Sequence, residues 1–303
     1  MRFWVGITDK DWFDFLAARS PDEVNFWQPS PTAPARLEPG VPFLFKLHAP
    51  HNFVVGGGFF VRFSALPARL AWEAFGEDNG ALDYPALKRR VERYRGERIQ
   101  GDPEIGCNVL NAPFFFRESD WIPIPEDWAP NIVRGRTYDT AESVGLKLWN
   151  QVEGLLGKIV EGGVGTGEGA RYGADYLTRA RLGQGAFRVL VTEAYDRRCA
   201  VTGERTLPVL EAAHIRPYAE QGPHLVSNGL LLRSDIHTLY DEGYLTVTDD
   251  LRVEVSRRIK EEFENGREYY AHHGKQLAEV PRSVDQQPSR EFLRWHNEHV
   301  YLG

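Results

Sequence analysis

Five side chains between positions 211 and 241 are of the kinds that move protons and hold metal ions: Glu211, His214, Asn228, His237 and Asp241. Histidine ordinarily titrates close to neutral pH, so His214 and His237 can each take a proton from water or lend a lone pair to a metal. His237 and Asp241 stand four residues apart, which on a helix puts both on one face and lets them reach a shared ion. A lone histidine is more commonly a packed or surface residue. His48, His51, His224, His272, His273, His296 and His299 are read that way.

Turn and capping signals give the elements that must position these groups. A helix from Phe187 to Arg197 leads to a short strand at Cys199–Thr202 and a second strand from Leu207 to His214. An irregular stretch with Pro217, Gly222 and Pro223 then runs to Asn228. Ser234 can cap a short helix that Gly243 ends, and this helix carries His237 and Asp241. Strands at Tyr244–Thr248 and Leu251–Ser256 follow, and the segment ending FLRWHNEHVYLG reads as helical. Asp235 reads as a carboxylate at a helix start, and Cys199 as a small buried apolar group.

The string LEAAHIRPYAEQGPHLVSNGLLLRSDIHTLYDEGYL, Leu210 to Leu245, resembles the HNH nucleases, whose core is a β-hairpin, a loop and a helix around one metal ion. The likeness extends upstream through GQGAFR and CAVTG and covers residues 180–300. It implies a metal-dependent endonuclease that hydrolyses phosphodiester bonds in DNA. His214 would be the base that activates water. Asn228 would hold the loop and orient the His214 imidazole by hydrogen bonding. His237 would be a metal ligand with Asp241 on the same ion, and Glu211 would act behind them or through a water. Many HNH enzymes place an acidic or histidine ligand just before the base, where this chain has Ala213. His237 and Asp241 then leave coordination positions to water or phosphate oxygens, which suits octahedral Mg²⁺ or Mn²⁺. A thiolate zinc site is excluded, because the two cysteines, Cys107 and Cys199, lie 92 residues apart. Arg181, Gln184, Arg188 and Arg216 flank the motif as candidate contacts to DNA phosphate, with ordinary surface positions as the alternative.

The N-terminal part reads as mostly β with short helices. Strands are expected at Phe3–Thr8, Val41–Leu47 and Asn52–Phe63, the last with a bulge or close approach at Gly56, Gly57 and Gly58. Helices are expected at Lys10–Ala18, Pro67–Phe75, Tyr84–Arg98 and Asp139–Val160, and VNFWQPSPTAPARLEPG reads as a proline-rich loop. KRRVERYRGER reads as a solvated helix face, with a phosphate-contacting face as the alternative. GGVGTGEGARYGADY reads as a linker. FWVGITDKDWF, VNFWQPS, PGVPFLFKLHAP and VVGGGFFV followed by AWEAFG resemble, in order and style, the PUA-like superfamily with its EVE, ASCH and SRA groups. That likeness implies a small β-barrel which, fused to a nuclease, reads a modified base flipped out of the duplex. Trp12, Asn25, Trp27 and Gln28 are the pocket candidates, since aromatic rings stack on a base and amides test its edge. Core packing is the alternative for each.

The expected fold class is therefore α+β: a PUA-like β-barrel over 1–135, a helix and Gly-rich linker over 136–180, and a ββα-metal HNH domain over 181–303. Composition agrees with a packed protein, at 42% hydrophobic and 26% charged residues in a chain of 303. The net charge of −7 argues against non-specific coating of nucleic acid and suits a reader that must ignore unmodified DNA. The longest apolar run, Phe53 to Val61, is too short to span a bilayer, and the N-terminus lacks a secretory pattern, so a cytoplasmic, bacterial protein without membrane association is expected. The expected partner is double-stranded DNA, with modified cytosine in particular, in a restriction or phage-defence role. One site per chain cuts one strand, so duplex cleavage implies a homodimer or successive nicks. A nicking HNH nuclease without modification specificity and a non-catalytic nucleic-acid-binding module are the alternatives.

Overall fold

The computed structural model describes residues 1–33, 35–162 and 183–303, with the backbone alone at 159–162. The chain divides into two compact units, Met1–Gly183 and Gln184–Gly303.

In the first unit the elements run β1 (Arg2–Thr8), α1 (Lys10–Ala17), β2 (Glu23–Gln28), β3 (Pro42–Leu47), β4 (Phe53–Pro67), α2 (Ala68–Phe75), α3 (Tyr84–Arg95), β5 (Glu104–Phe115), β6 (Ile122–Pro123), β7 (Gly135–Asp139) and α4 (Ser143–Gly162). The strands form one sheet in the order β2-β5-β4-β3-β1-β7, with β6 added on β4. All pairs are antiparallel except β1 with β3. The expected closed barrel is corrected: β2 and β7 are the ends of the strand order and do not pair, so the sheet stays open. The register of the long β4 on β5 shifts between Gly57 and Phe59, within the glycine run where a bulge or close approach is expected, and again between Phe60 and Arg62, beyond it.

Side chains alternate along each strand, so both faces are apolar and both need a cover. Trp4, Phe26, Phe43 and Phe45 face Trp12, Phe13 and Leu16 of α1. Phe3, Val5, Leu44 and Tyr138 face Leu148, Trp149, Val152 and Leu156 of α4. Each such side chain contributes about 1.5–3 kcal/mol of burial, which explains why α4 holds to this unit. The expected boundary at residue 135 therefore falls at the start of β7, a strand of this sheet. The Gly-rich stretch expected as a linker lies outside the described residues from Gly163 to Leu182.

Two expectations here are corrected. The segment VNFWQ belongs to the strand β2, paired with β5 from Glu23 to Gln28, and the proline loop begins only after it. Asp139 pairs with Arg2 at the edge of the sheet and α4 starts four residues later, at Ser143.

The second unit runs α5 (Gln184–Ala194), β8 (Leu210–His214), β9 (Gly229–Arg233), α6 (Ser234–Asp241), β10 (Leu245–Val247), β11 (Val253–Val255), α7 (Arg258–Phe263), α8 (Arg267–Tyr270) and α9 (Arg290–His299). β8 and β9 form an antiparallel hairpin in which His214 pairs with Gly229, and α6 follows at once. Its core joins Phe187 and Val191 of α5 to Leu230, Leu231 and Leu232 of β9, to Ile236 and Tyr240 of α6, and to Leu293 of α9. Cys199–Thr202 forms a turn in place of the expected strand. The Cys199 thiol is buried and accepts from the backbone N–H of Arg233, pinning this turn to the hairpin end. Arg233, not Ser234, occupies the position before α6.

Candidate active site

The hairpin, loop and short helix bring four of the five opening side chains into one arrangement. His237, in the first turn of α6 after β9, lies between two carboxylates. Its Nδ1 is 2.6 Å from Glu211 Oε2 on β8, and its Nε2 is 3.2 Å from Asp241 Oδ2 one helical turn on. Burial alone would lower its pKa, but the hydrogen bonds to Asp241 and Glu211 outweigh that and raise it. Asp235 is not part of this group, because it takes a bidentate pair from Arg233 at 2.6 and 2.7 Å.

His214 ends β8. Its ring stacks on Phe187 of α5, with centroids 3.9 Å apart and planes 11° apart. Its Nε2 lies 2.9 Å from Nδ1 of His224. Burial pushes the His214 pKa down to about 4, and the neighbouring His224 adds to the shift. The imidazole is therefore neutral throughout the physiological range.

Asn228 is wholly buried and works as a loop clamp. Its Oδ1 accepts from the Arg216 N–H at 2.9 Å, and its Nδ2 donates to the carbonyls of Arg216 and Pro223, both at 2.9 Å. The amide thereby ties the backbone of Arg216 to that of Pro223. The expected hydrogen bond from Asn228 to the His214 imidazole is corrected: both polar ends of the amide are committed to backbone, and His224 meets the ring instead. In sequence His224 reads as an ordinary histidine, and only the loop conformation brings it to His214.

The flanking candidates fare differently. Arg216 donates from Nε to the Glu220 carbonyl at 2.7 Å, and its guanidinium lies 5.4 Å from the centre of the Trp295 ring. Gln184 is exposed at the start of α5 and Arg188 half-buried one turn on. Arg181 lies outside the described residues.

No group of three or more His, Cys, Asp and Glu side chains is placed to hold a metal ion among the described residues. The donor chemistry around His237 still fits a divalent ion that keeps several waters. A histidine that donates Nδ1–H to a carboxylate keeps its lone pair on Nε2, the usual arrangement of a metal-ligating imidazole. Here the carboxylate is Glu211, and a second carboxylate, Asp241, stands beside Nε2.

The first unit holds a cavity of about 330 Å³ lined by Asp9, Trp12, Trp27, Gln28, His48 and Tyr94, among others. That volume is in the range of small-molecule sites. Trp27 meets Tyr94 edge-on at 6.1 Å, and His48 stacks on Tyr94 at 6.4 Å. The Tyr94 hydroxyl bonds Asp9, and burial together with that carboxylate raises its pKa. The indole N–H groups of Trp12 and Trp27 both donate to one acceptor, the Asn79 carbonyl, at 3.1 and 3.0 Å. Gln28 donates to the carbonyls of Ser30 and Thr32. Asn25 is corrected: it is fully buried behind the wall, donating to Asn79 Oδ1 at 2.8 Å and to the Cys107 thiol at 3.3 Å. Sequence reading missed Asp9, His48, Tyr94 and Asn79. Tyr94 sits in the basic run read as a solvated face, where Arg90 and Arg95 donate instead to the carbonyls of Gly80 and Pro29.

Residues 199–248 match the family model of HNH endonucleases. They span β8, β9 and α6 together, so the second unit carries an HNH endonuclease domain and the protein is a nuclease. Among solved structures, the chain is similar to a mutant of the ZmASCH protein from Zymomonas mobilis, with 8% identity and a TM-score of 0.35, covering 50% of this chain and 97% of that one. It is also similar to TagI, a modification-dependent restriction endonuclease, with 16% identity and a TM-score of 0.28, covering 92% of this chain and 75% of that one. No curated protein matches the chain.

Proposed function

We propose that the protein is a divalent-metal-dependent DNA endonuclease directed to DNA that carries modified bases, cytosine modifications first among them. The observation that supports the nuclease centre is the pair of imidazoles at the end of the hairpin: His214 neutral and anchored, His237 flanked by carboxylates. His214 takes the proton of the attacking water. Its lowered pKa keeps it unprotonated, and the Phe187 stack limits ring rotation. Asn228 fixes the loop from Arg216 to Pro223. His237 and Asp241 would hold the ion, and Glu211 orients the His237 ring through Nδ1. When bound, Mg²⁺ or Mn²⁺ supplies positive charge to the phosphate and to the departing oxygen.

The aromatic-walled cavity of the first unit supports the directed part of the reading. Trp27 and Tyr94 offer stacking surface, and Asp9 and Gln28 offer polar atoms beside it. Base stacking on aromatics contributes about 1–3 kcal/mol, comparable with the few kcal/mol needed to flip a base out. Such a protein suits restriction of modified phage DNA inside a bacterial cell, with duplex cuts made by two chains or by successive nicks. The test is cleavage of matched duplexes with and without modified cytosine, in Mg²⁺, Mn²⁺ or chelator. The proposal requires metal-dependent cutting of a modified duplex and none of the unmodified one.

A further inference from the structure

A general base must present an unprotonated nitrogen to the water, and an imidazole has two nitrogens with one proton between them. Which nitrogen is free depends on what the other one meets. At His214 one face is covered by Phe187 and the Nε2 edge by His224, at 2.9 Å. Nδ1 accepts no hydrogen bond among the described residues.

His224 is itself held by neighbouring rings. Its ring stacks on Tyr218, with centroids 4.8 Å and planes 12° apart, and meets the His214 ring edge-on at 4.9 Å and 62°. The loop that carries it is closed by the three Asn228 amide bonds and by the Gly222 N–H on the Pro217 carbonyl. A Cβ at Gly222 would lie 1.8 Å from the Arg216 carbonyl oxygen, so the loop closes this tightly only with glycine there. A buried clamp, a glycine-only contact and an aromatic stack therefore converge on one imidazole that belongs neither to the carboxylate group at His237 nor to the core.

We propose that His224 is a positioning residue for phosphodiester hydrolysis: its Nδ1 accepts the Nε2–H of His214, which fixes the base in the tautomer with a free lone pair on Nδ1. This rests on the reading of His214 as the base. In the step, the water proton moves to His214 Nδ1 and the water oxygen forms a bond to phosphorus. The bond from phosphorus to the departing oxygen breaks with its electron pair on that oxygen, which solvent protonates. The imidazolium so formed donates a charge-assisted hydrogen bond from Nε2 to His224. A neutral partner serves better here than a carboxylate, which would hold a proton on His214 before the reaction begins.

The test uses the full chain and two readouts. Long-range ¹⁵N–¹H spectra of the imidazoles, with His214 assigned by its absence in His214→Ala, read the tautomer without any activity. Expected are a proton on Nε2 in the native chain and in His224→Gln, whose amide oxygen can accept it, and a mixture of tautomers in His224→Phe. Cleavage of supercoiled plasmid bearing 5-methylcytosine, with Mn²⁺, should show kcat reduced about tenfold to a hundredfold in His224→Phe, KM unchanged, and most of the rate restored in His224→Gln. An unchanged His214 tautomer in His224→Phe overturns the proposal, as does equal loss of rate in the Phe and Gln variants. Cutting by His214→Ala would instead remove the base assignment itself, and the spectra would still report whether His224 sets the tautomer.

Discussion

His214 and His237 stand 23 positions apart in sequence and receive opposite treatment from their surroundings. Burial and a second imidazole push His214 down to about 4, whereas two carboxylates raise His237 despite burial. One ring is thereby kept as a proton acceptor and the other is surrounded by negative charge, the division of labour a hydrolytic metal centre needs. His214→Ala should abolish cutting while leaving DNA affinity, measured by gel shift, within about twofold. Glu211→Gln keeps the size of the side chain but removes the charge opposite His237 Nδ1. It should weaken binding of Mn²⁺ about tenfold to a hundredfold in a calorimetric titration, and an unchanged affinity would show that Glu211 does not support the ligand. The motif and its spacing bring His214, His237 and Asp241 forward in sequence as candidates. His224 is not among them, because its role comes from a tight irregular loop, and no period or spacing encodes where such a loop places a side chain.

At the scale of elements, β2 and β5 show where sequence reading gives out. β2 abuts a proline-rich loop, and β5 is buried without a break from Ile105 to Asn111 and contains Gly106 and Pro113, so neither displays a clean alternation. The open sheet also follows from long-range pairing, which the order of strands in sequence leaves undetermined. The turn from Gly76 to Gly80 anchors two side chains of the cavity wall, since the Asn79 carbonyl receives both tryptophan N–H groups. Gly80 has φ +73°, and a Cβ there would fall 2.1 Å from the Trp12 ring. Gly80→Ala should therefore cost on the order of 1–3 kcal/mol in the first unit, read as a lowered unfolding midpoint, and blunt discrimination between DNAs while HNH cutting persists.

α9 docks on α6 through His296, which is buried, stacks on Tyr240 at 3.7 Å, and bonds the Thr246 hydroxyl and the Tyr240 carbonyl. Burial pushes its pKa down to about 4 from an ordinary 6.5. The unfolded chain then binds the extra proton more readily than the folded one between those values. His296 should contribute full stability above pH 6.5 and lose it progressively as pH falls toward 4, on the order of 3 kcal/mol in all. Denaturant unfolding across that window checks it. His296→Gln should flatten the dependence, and an unaltered slope would contradict the assignment.

For the whole molecule, each unit has its own core and its own constellation: an aromatic-walled cavity in Met1–Gly183 and an HNH centre in Gln184–Gly303. No helix among the described residues is long and apolar enough to cross a membrane. With a net charge of −7, general attraction to DNA is weak, and the proposed base reading assigns selection to the cavity of the first unit. Trp27→Ala should then remove the preference for modified DNA, leaving residual metal-dependent cutting of every duplex to the same extent.

The most direct measurement is cleavage of four matched duplexes, unmodified, 5-methylcytosine-bearing, 5-hydroxymethylcytosine-bearing and glucosylated, each with Mg²⁺, with Mn²⁺ and with chelator. Expected are cutting of at least one modified duplex with metal, none of the unmodified duplex, and none with chelator. Equal cutting of all four would contradict the base-reading role of the first unit, and cutting that survives the chelator would contradict the metal centre at His237 and Asp241.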